Sequence, residues 1–145
     1  MLNISSYKII AIGKIKKKWI QAGLEVYLNR LPGLQVIEIK DSTQKKEEST
    51  IKEIINKNET LITLNEKGQC FTSIQLANKL IGFQNQNITF VIGGPTGISP
   101  SLKNSAAWEL SLSPLTFPQE IARLLLLEQL YRAKTIAHGN PYHKE

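Results

Sequence analysis

The chain is poor in the residues that build disulfides and metal sites. It has one cysteine, Cys70, and two histidines, His138 and His143. A single cysteine excludes an internal disulfide framework and a site made of several thiolates, and it is typical of a reducing compartment. The two histidines stand on either side of Gly139 and Pro141, a spacing that fits no zinc motif. We therefore expect no metal.

Long hydrophobic runs and a targeting segment are also lacking. No apolar run approaches the roughly 20 residues that a membrane-spanning helix needs. Residues 1–7 lack the basic region, apolar stretch and small-residue cleavage site of a secretory signal. We expect a cytoplasmic protein that is neither processed nor bound to a membrane.

Size and charge limit the organisation and the partners. A chain of 145 residues suits one compact domain, residues 1–145. The net charge of +6 favours a polyanion such as nucleic acid as partner. The densest basic cluster is formed by Lys14, Lys16, Lys17 and Lys18. Such a cluster either contacts phosphates or is a solvated loop, and the sequence leaves both open.

Short β-branched runs alternate with amphipathic stretches, which predicts an α/β fold with a mostly parallel sheet flanked by helices. The predicted strands are residues 7–12, 34–39, 60–64, 88–92 and 108–112. The predicted helices are residues 19–31, a segment containing Ile51, Ile54 and Ile55, residues 72–83, 99–107 and 118–137. We expect a capping box at residues 72–75 and a solvated loop over residues 41–49.

The last predicted helix has no obvious solvent face. Its segment 121–131 is apolar except at Arg123, Glu128 and Gln129. A helix that is apolar all round must be covered on every side, and a sheet covers only one. We expect a homodimer partner on the second face, the alternative being a central core helix.

Two loops follow the last two strands. Residues 92–97 read Ile-Gly-Gly-Pro-Thr-Gly, and residues 112–118 read Leu-Ser-Pro-Leu-Thr-Phe-Pro. Ligands of open α/β sheets collect beyond the carboxyl ends of the strands, and glycines let the backbone approach them closely. The glycine pattern fits neither a P-loop nor a dinucleotide fingerprint. It favours a backbone-lined nucleoside slot, with a plain tight turn as the alternative.

The carboxyl tail carries the candidate chemistry. A histidine exchanges protons near neutrality, and Pro141 and Tyr142 suggest that the tail around His143 docks. Arg132 either points toward the pocket or pairs with Glu128 one helical turn earlier, and both remain open.

Together these segments resemble one known family, the ribosomal RNA large subunit methyltransferase H family of the SPOUT class. The residues that carry the resemblance are 11–14, 90–97, 112–118, Arg123, 128–133 and 141–145. The sequence departs from the family pattern at Gln119 and Asn140, where histidines occur in the family, and at Lys144, where arginine is frequent.

The resemblance implies a SPOUT-type α/β fold with a C-terminal trefoil knot and an obligate homodimer. It implies transfer of methyl from S-adenosylmethionine, with S-adenosylhomocysteine as product, to N3 of a pseudouridine in 23S ribosomal RNA, free or in the assembled ribosome. The matching cofactor positions are Leu64, Gly93, Gly94, Gly97, Leu112, Ser113, Pro114, Leu115, Thr116 and Phe117. The positions that match those facing the target base are Tyr142, His143 and Lys144.

On this basis we expect His143 to act as the base that removes the N3 proton and Tyr142 to stack on or orient the target base. We expect Arg132, Lys144 and the Lys14 to Lys18 cluster to hold RNA phosphates. Two rivals remain: an RNA-binding protein of the same fold without methyl transfer, and a flavodoxin-like nucleotide binder.

Overall fold

The computed structural model describes residues 2–144 and contains a five-stranded sheet. All neighbouring strands are parallel and lie in the order β2-β1-β4-β3-β5. The strands are β1 (Tyr7–Ile12), β2 (Gln35–Ile39), β3 (Glu59–Cys70), β4 (Asn87–Ile92) and β5 (Trp108–Ser111). The predicted α/β class is confirmed.

Helices cover both faces of the sheet. They are α1 (Lys18–Asn29), α2 (Gln44–Ile54), α3 (Ser73–Ile81), α4 (Pro100–Ser105) and α5 (Gln119–Ala137), and a short 3-10 helix, Ile4–Ser6, precedes β1. Buried residues of α1, α3 and α5 share one apolar cluster with the sheet, and those of α2 and α4 belong to a second. The predicted capping box at Thr72 and Gln75 opens α3. No helix within residues 2–144 is long and apolar enough to cross a membrane.

The solvated loop predicted over residues 41–49 is wrong in its second half, where α2 begins at Gln44. The hydroxyl of Thr43 accepts the N–H of Lys46 at 3.2 Å and so caps the helix. Glu47 is buried and accepts the N–H of Ser42 at 2.7 Å. Capping and the burial of Ile51 therefore outweigh the polar composition of this segment.

The third strand is longer than predicted. Its pairing with β5 is regular up to Leu64 and resumes at Gln69 after a register shift. The residues between them bulge out of the ladder, which bends the strand at its carboxyl end.

One side of helix α5 is buried by its own chain. Leu126, Leu127 and Leu130 have no exposed surface, and α5 packs against both α1 and α3. At Gly23 of α1 a Cβ atom would lie 3.2 Å from a methyl carbon of Leu124, so the glycine permits close packing. Leu125 alone among these leucines remains 36% exposed.

We predict that the carboxylate of Glu59 stabilises the fold in a pH-dependent way. Lys8 and Thr89 donate to it at 2.7 and 2.6 Å. Burial raises the pKa of Glu59, but these hydrogen bonds outweigh burial and hold the pKa below its usual value. A carboxylate with a lowered folded-state pKa stabilises above the unfolded pKa, and this contribution is lost as pH falls through the folded pKa.

Glu59→Gln should therefore lower the free energy of unfolding by about 1–3 kcal/mol at pH 7. The difference from the native protein should shrink below about pH 4, where the native carboxylate is protonated too. Urea unfolding between pH 3 and 8 measures this. A difference that does not change with pH would contradict an ionic origin.

Candidate functional site

A cavity of about 270 Å³ opens at the carboxyl ends of β4 and β5, beside the point where β3 leaves its regular pairing after Leu64. Leu64, Ile92 and Leu110 supply apolar surface from the three strands, and the two loops that follow β4 and β5 form the walls. We call residues 93–97 the glycine loop and residues 112–118 the proline loop. Their convergence forms a slot at the edge of the sheet where α/β proteins bind ligands.

The glycine loop leaves no room for a side chain at its first residue, Gly93. The N–H of Gly97 donates to the carbonyl of Gly94 at 2.9 Å, and Gly97 adopts a positive φ of 74°. A Cβ atom on Gly93 would lie 2.9 Å from Cγ1 of the buried Ile98. Gly93, Gly94 and Gly97 therefore present backbone without side chains to the cavity, beside Pro95.

Helix α2 holds the glycine loop from outside. The amide of Gln44 donates to the carbonyl of Thr96 at 2.9 Å, and Glu48 accepts the hydroxyl of Ser99. Burial, together with the neighbouring Asp41 carboxylate, raises the pKa of Glu47, which also approaches the Thr96 hydroxyl. These side chains fix the loop without entering the cavity.

The proline loop is fixed at both of its ends. At its start, the Ser111 hydroxyl lies 3.1 Å from the carbonyl of Glu66 and 2.9 Å from that of Ser113. Beyond its exit, in the first turns of α5, the buried guanidinium of Arg123 pairs with Glu38 and donates to the carbonyl of Gly13 at 3.0 Å. The loop thus passes from the edge strand β5 to the end of β1.

The structure brings the predicted cofactor positions together, with one exception. Pro114 is exposed and does not line the cavity. The lining includes Leu64, Gly93, Gly94, Gly97, Leu112, Ser113, Leu115, Thr116 and Phe117.

Sequence reasoning missed four polar lining residues: Asn65, Glu66, Lys103 and Gln119. Asn65 and Glu66 follow Leu64 directly, so the rule for strand ends could have found them. Nothing in the sequence placed Lys103, a residue of α4, at the same slot.

A larger groove of about 1050 Å³ adjoins the cavity, and the glycine and proline loops form the common wall. Lys14, Lys16 and Lys40 line it with Glu38 and Asp41. The other two lysines of the predicted cluster, Lys17 and Lys18, are exposed and lie outside the groove at the start of α1.

Glu120 joins the basic segment to α5. It accepts the N–H groups of Lys16 and Lys17 at 2.6 and 3.2 Å. These two hydrogen bonds lower the pKa of its carboxyl. The segment before α1 is therefore anchored by its backbone, which leaves the lysine side chains available to the groove and to solvent.

The tail docks on the second half of α5. The hydroxyl of Tyr142 donates to Glu128 at 2.9 Å, and its ring centroid lies 4.7 Å from that of Tyr131. The Arg132 guanidinium lies 4.8 Å from the Tyr142 ring centroid. Burial, with Tyr27 and Glu128 close by, raises the pKa of Tyr142. Its hydroxyl is thus engaged as a neutral donor.

Arg132 pairs with Glu128, which decides between the two alternatives for its side chain. Its Nη2 donates to a Glu128 oxygen at 2.7 Å, and this hydrogen bond raises the pKa of Arg132. Its Nη1 lies 3.0 Å from Nδ1 of His143. Arg132 therefore connects the helix to the tail.

The tail network and the cavity are separate within one chain. Arg132, Tyr142 and His143 do not line the cavity, and Lys144 is exposed beyond them. Arg132 lies ten residues after Ala122, the last cavity residue on α5. At 1.5 Å per residue this is roughly 15 Å along the helix.

Among residues 2–144 no group of three or more His, Cys, Asp or Glu side chains is arranged to hold a metal ion.

Comparison with known proteins places this arrangement in a family. Residues 6–143 match a family model described as predicted SPOUT methyltransferase. The chain is 77% identical over its full length, and over the full length of the relative, to a ribosomal RNA large subunit methyltransferase H of Prochlorococcus marinus strain NATL2A. It is 51% identical to one of Synechococcus sp. strain CC9902, with 99% of each chain covered.

A solved structure shares the fold. It is that of a probable methylase family protein from Haemophilus influenzae Rd KW20, with a TM-score of 0.66 at 13% identity, over 99% of this chain and 72% of the other. From the family match and the identities over the full chain, this protein belongs to the SPOUT methyltransferases and, among them, to the ribosomal RNA large subunit methyltransferase H family.

Proposed function

We propose that this protein transfers methyl from S-adenosylmethionine to N3 of a pseudouridine in 23S ribosomal RNA. The observation that carries the proposal is the convergence of the glycine loop and the proline loop on one cavity. Relatives at 77% and 51% identity are named as large subunit ribosomal RNA methyltransferases. A ribosomal substrate also supports a place in the cytoplasm.

The cavity residues fit this cofactor. A slot lined by Leu64, Leu110 and Leu112 suits a flat base, and backbone groups of the glycine loop suit a ribose approached closely. Lys103 carries the charge that suits the carboxylate of the cofactor, and Glu66 carries the charge that suits its ammonium group. When bound, the cofactor supplies an activated methyl group, and the protein contributes alignment.

A homodimer explains why the tail and the cavity lie apart in one chain. Arg132, which contacts Tyr142 and His143, lies roughly 15 Å along α5 from Ala122, the last residue of that helix that lines its own cavity. We propose that the tail of one subunit completes the cavity of its partner. Exposed apolar side chains, Trp19 at 62% and Val26 at 46%, offer a contact surface on α1.

The basic groove suits the RNA. Lys14 and Lys16 line it beside the cavity, and Lys144 extends from the tail. Phosphate contacts of this kind make affinity fall with salt, by about one power of salt concentration per phosphate neutralised.

The route of the proline loop supports the implied knot. After the edge strand β5 the chain crosses to β1, where Arg123 holds the carbonyl of Gly13. The glycine loop spans the same edge and is held by Gln44 of α2. We propose that these crossing connections form the trefoil knot.

The decisive experiment combines calorimetry with a methylation assay. The full-length protein is titrated with S-adenosylmethionine, then incubated with ribosomes from cells that lack it, and the 23S RNA is analysed by mass spectrometry. We expect heat of binding and one added methyl on one pseudouridine. Binding to ribosomes without cofactor heat or methylation would instead identify an RNA-binding protein.

We predict that Trp19→Glu disrupts the homodimer. A charge on the exposed apolar face of α1 must be desolvated when two subunits associate. We expect this desolvation to cost about 3 kcal/mol, which corresponds to a dimer weakened by about 100-fold. Sedimentation velocity over a dilution series measures this. Gln21→Glu, the same charge at an exposed position of α1, is the matched control and should leave the dimer intact.

If the native protein sediments as a monomer at all concentrations, the dimer proposal fails. If Trp19→Glu dimerises normally, the interface lies elsewhere.

A further inference from the structure

The tail histidine is held in an orientation that determines which of its ring nitrogens carries the proton. Nη1 of Arg132 lies 3.0 Å from Nδ1 of His143. A guanidinium has only donors and keeps its charge at all relevant pH values. Nδ1 must therefore accept this hydrogen bond, and the proton of the neutral ring resides on Nε2.

The guanidinium itself is not free to turn. Its Nε and Nη2 donate to the two oxygens of Glu128 at 3.2 and 2.7 Å, a bidentate arrangement that fixes its plane. The ring of Tyr142 lies against the same guanidinium, and its hydroxyl donates to Glu128. Rotating the histidine ring by half a turn would place Cδ2–H against Nη1, so only the observed orientation makes the bond.

The consequence reverses the role expected from the sequence. A base needs a free lone pair, but the lone pair of Nδ1 is occupied by Arg132 and Nε2 carries the hydrogen. No group within residues 2–144 accepts a hydrogen bond from Nε2. The N–H group at Nε2 of the half-buried ring is therefore a hydrogen-bond donor without an acceptor among these residues.

We propose that His143 acts as a hydrogen-bond donor to the target base rather than as the general base. This rests on the proposed function. In a uracil-type base, N3 lies between two carbonyl groups, and loss of the N3 proton places negative charge on both oxygens. Nε2–H donates to one of these oxygens and stabilises that charge as it develops.

The reaction then balances without a basic side chain. The N3 proton passes to solvent, the N3 electron pair forms the new N–CH3 bond, and the carbon–sulfur bond of the sulfonium breaks to leave a neutral thioether. Arg132 and Glu128 are positioning residues, because they act on the target base through His143.

Two substitutions separate a donor from a base. The side-chain amide of glutamine reaches the position of Nε2 and donates, but it cannot accept a proton near neutral pH. The amide of asparagine corresponds to Nδ1 and does not reach. In single turnovers on ribosomes from cells lacking this protein, His143→Gln should stay within about tenfold of the native rate. His143→Ala and His143→Asn should fall by about 100-fold or more, as expected when a transition-state donor is removed.

The pH profile gives a second readout. With His143 as donor, the rate should rise with pH through neutrality in the native protein and in His143→Gln alike, because ionisation of N3 limits both. A histidine base would make the native rate level off once that base is fully deprotonated, and only the variants would lose this feature. A native rate that levels off in this way, together with a His143→Gln rate as slow as that of His143→Ala, would overturn the donor role.

Nitrogen-15 NMR of the free full-length protein tests the tautomer without any substrate. The signals of the His143 ring, identified by their loss in His143→Ala, should show hydrogen on Nε2 alone, and Arg132→Met should return a mixture of tautomers. Hydrogen on Nδ1 in the native protein would overturn the inference. If the native protein does not methylate ribosomes at all, the proposed function fails and the donor role fails with it.

Discussion

Gly93→Val should weaken the binding of S-adenosylmethionine by about 100-fold, corresponding to about 3 kcal/mol. A Cβ atom at this position would lie 2.9 Å from Cγ1 of Ile98 and 3.2 Å from the carbonyl carbon of Gly97. Ile98 is buried and cannot move aside. The loop must therefore open to accept the side chain, and the opened loop no longer presents its backbone to the cavity.

Calorimetric titration with the cofactor measures this effect. Gly97→Ala is the matched control in the same loop, because a Cβ atom there meets nothing within 4 Å although φ is positive. Gly97→Ala should introduce about 1 kcal/mol of backbone strain and reduce the affinity for the cofactor by less than tenfold. Native affinity in Gly93→Val would show that the cofactor does not depend on this loop.

Leu126→Ala should lower the free energy of unfolding by about 2–5 kcal/mol, the range for leucine truncation in a closed core. Leu126 has no exposed surface and belongs to the apolar cluster shared by α1, α3, α5 and the sheet. Since α5 joins this cluster directly to the cavity through Ala122, the variant should also bind cofactor less well when warmed.

The adjacent Leu125 provides a control with the same chemistry on the same helix. It is 36% exposed, so Leu125→Ala should cost only about 1 kcal/mol in urea unfolding at low protein concentration. An equal loss for the two variants would contradict the packing described for α5. An additional cost for Leu125→Ala that grows with protein concentration would indicate that this residue contributes to the dimer.

Most of the fold could be predicted because its signals are local. The continuous apolar run ending at Ile92 predicts a buried strand, and Thr72 with Gln75 predicts a helix start. The segment 44–49 could not be predicted in this way. Its apolar content is low, and its helix depends on the Thr43 cap and on burial of Ile51 against the sheet.

The extension of β3 likewise depends on tertiary contact. Residues 65–69 are polar, and Gly68 packs so closely that a Cβ atom would lie 2.8 Å from the carbonyl oxygen of Glu109 in β5. No local pattern reports such a pairing.

The candidate site, too, could be predicted only in those parts that depend on local signals. The two loops could be placed together because carboxyl ends of parallel strands share one edge. Helical spacing offered the pairing of Arg132 with Glu128 as one of two alternatives, and only the structure decides for it. The proton position on His143 could not be predicted, since it depends on the guanidinium that faces Nδ1.

Helix α5 carries the cavity residue Gln119 at its first position and the tail network near its end. A helix gains 1.5 Å and turns by about 100° with each residue. One residue inserted between Gln119 and Glu128 would therefore rotate the tail by about 100° around the helix axis relative to the cavity. Every side chain of the tail network would still be present. The number of residues between these two positions is thus a requirement of the enzyme, and relatives should tolerate substitutions here far more readily than insertions or deletions.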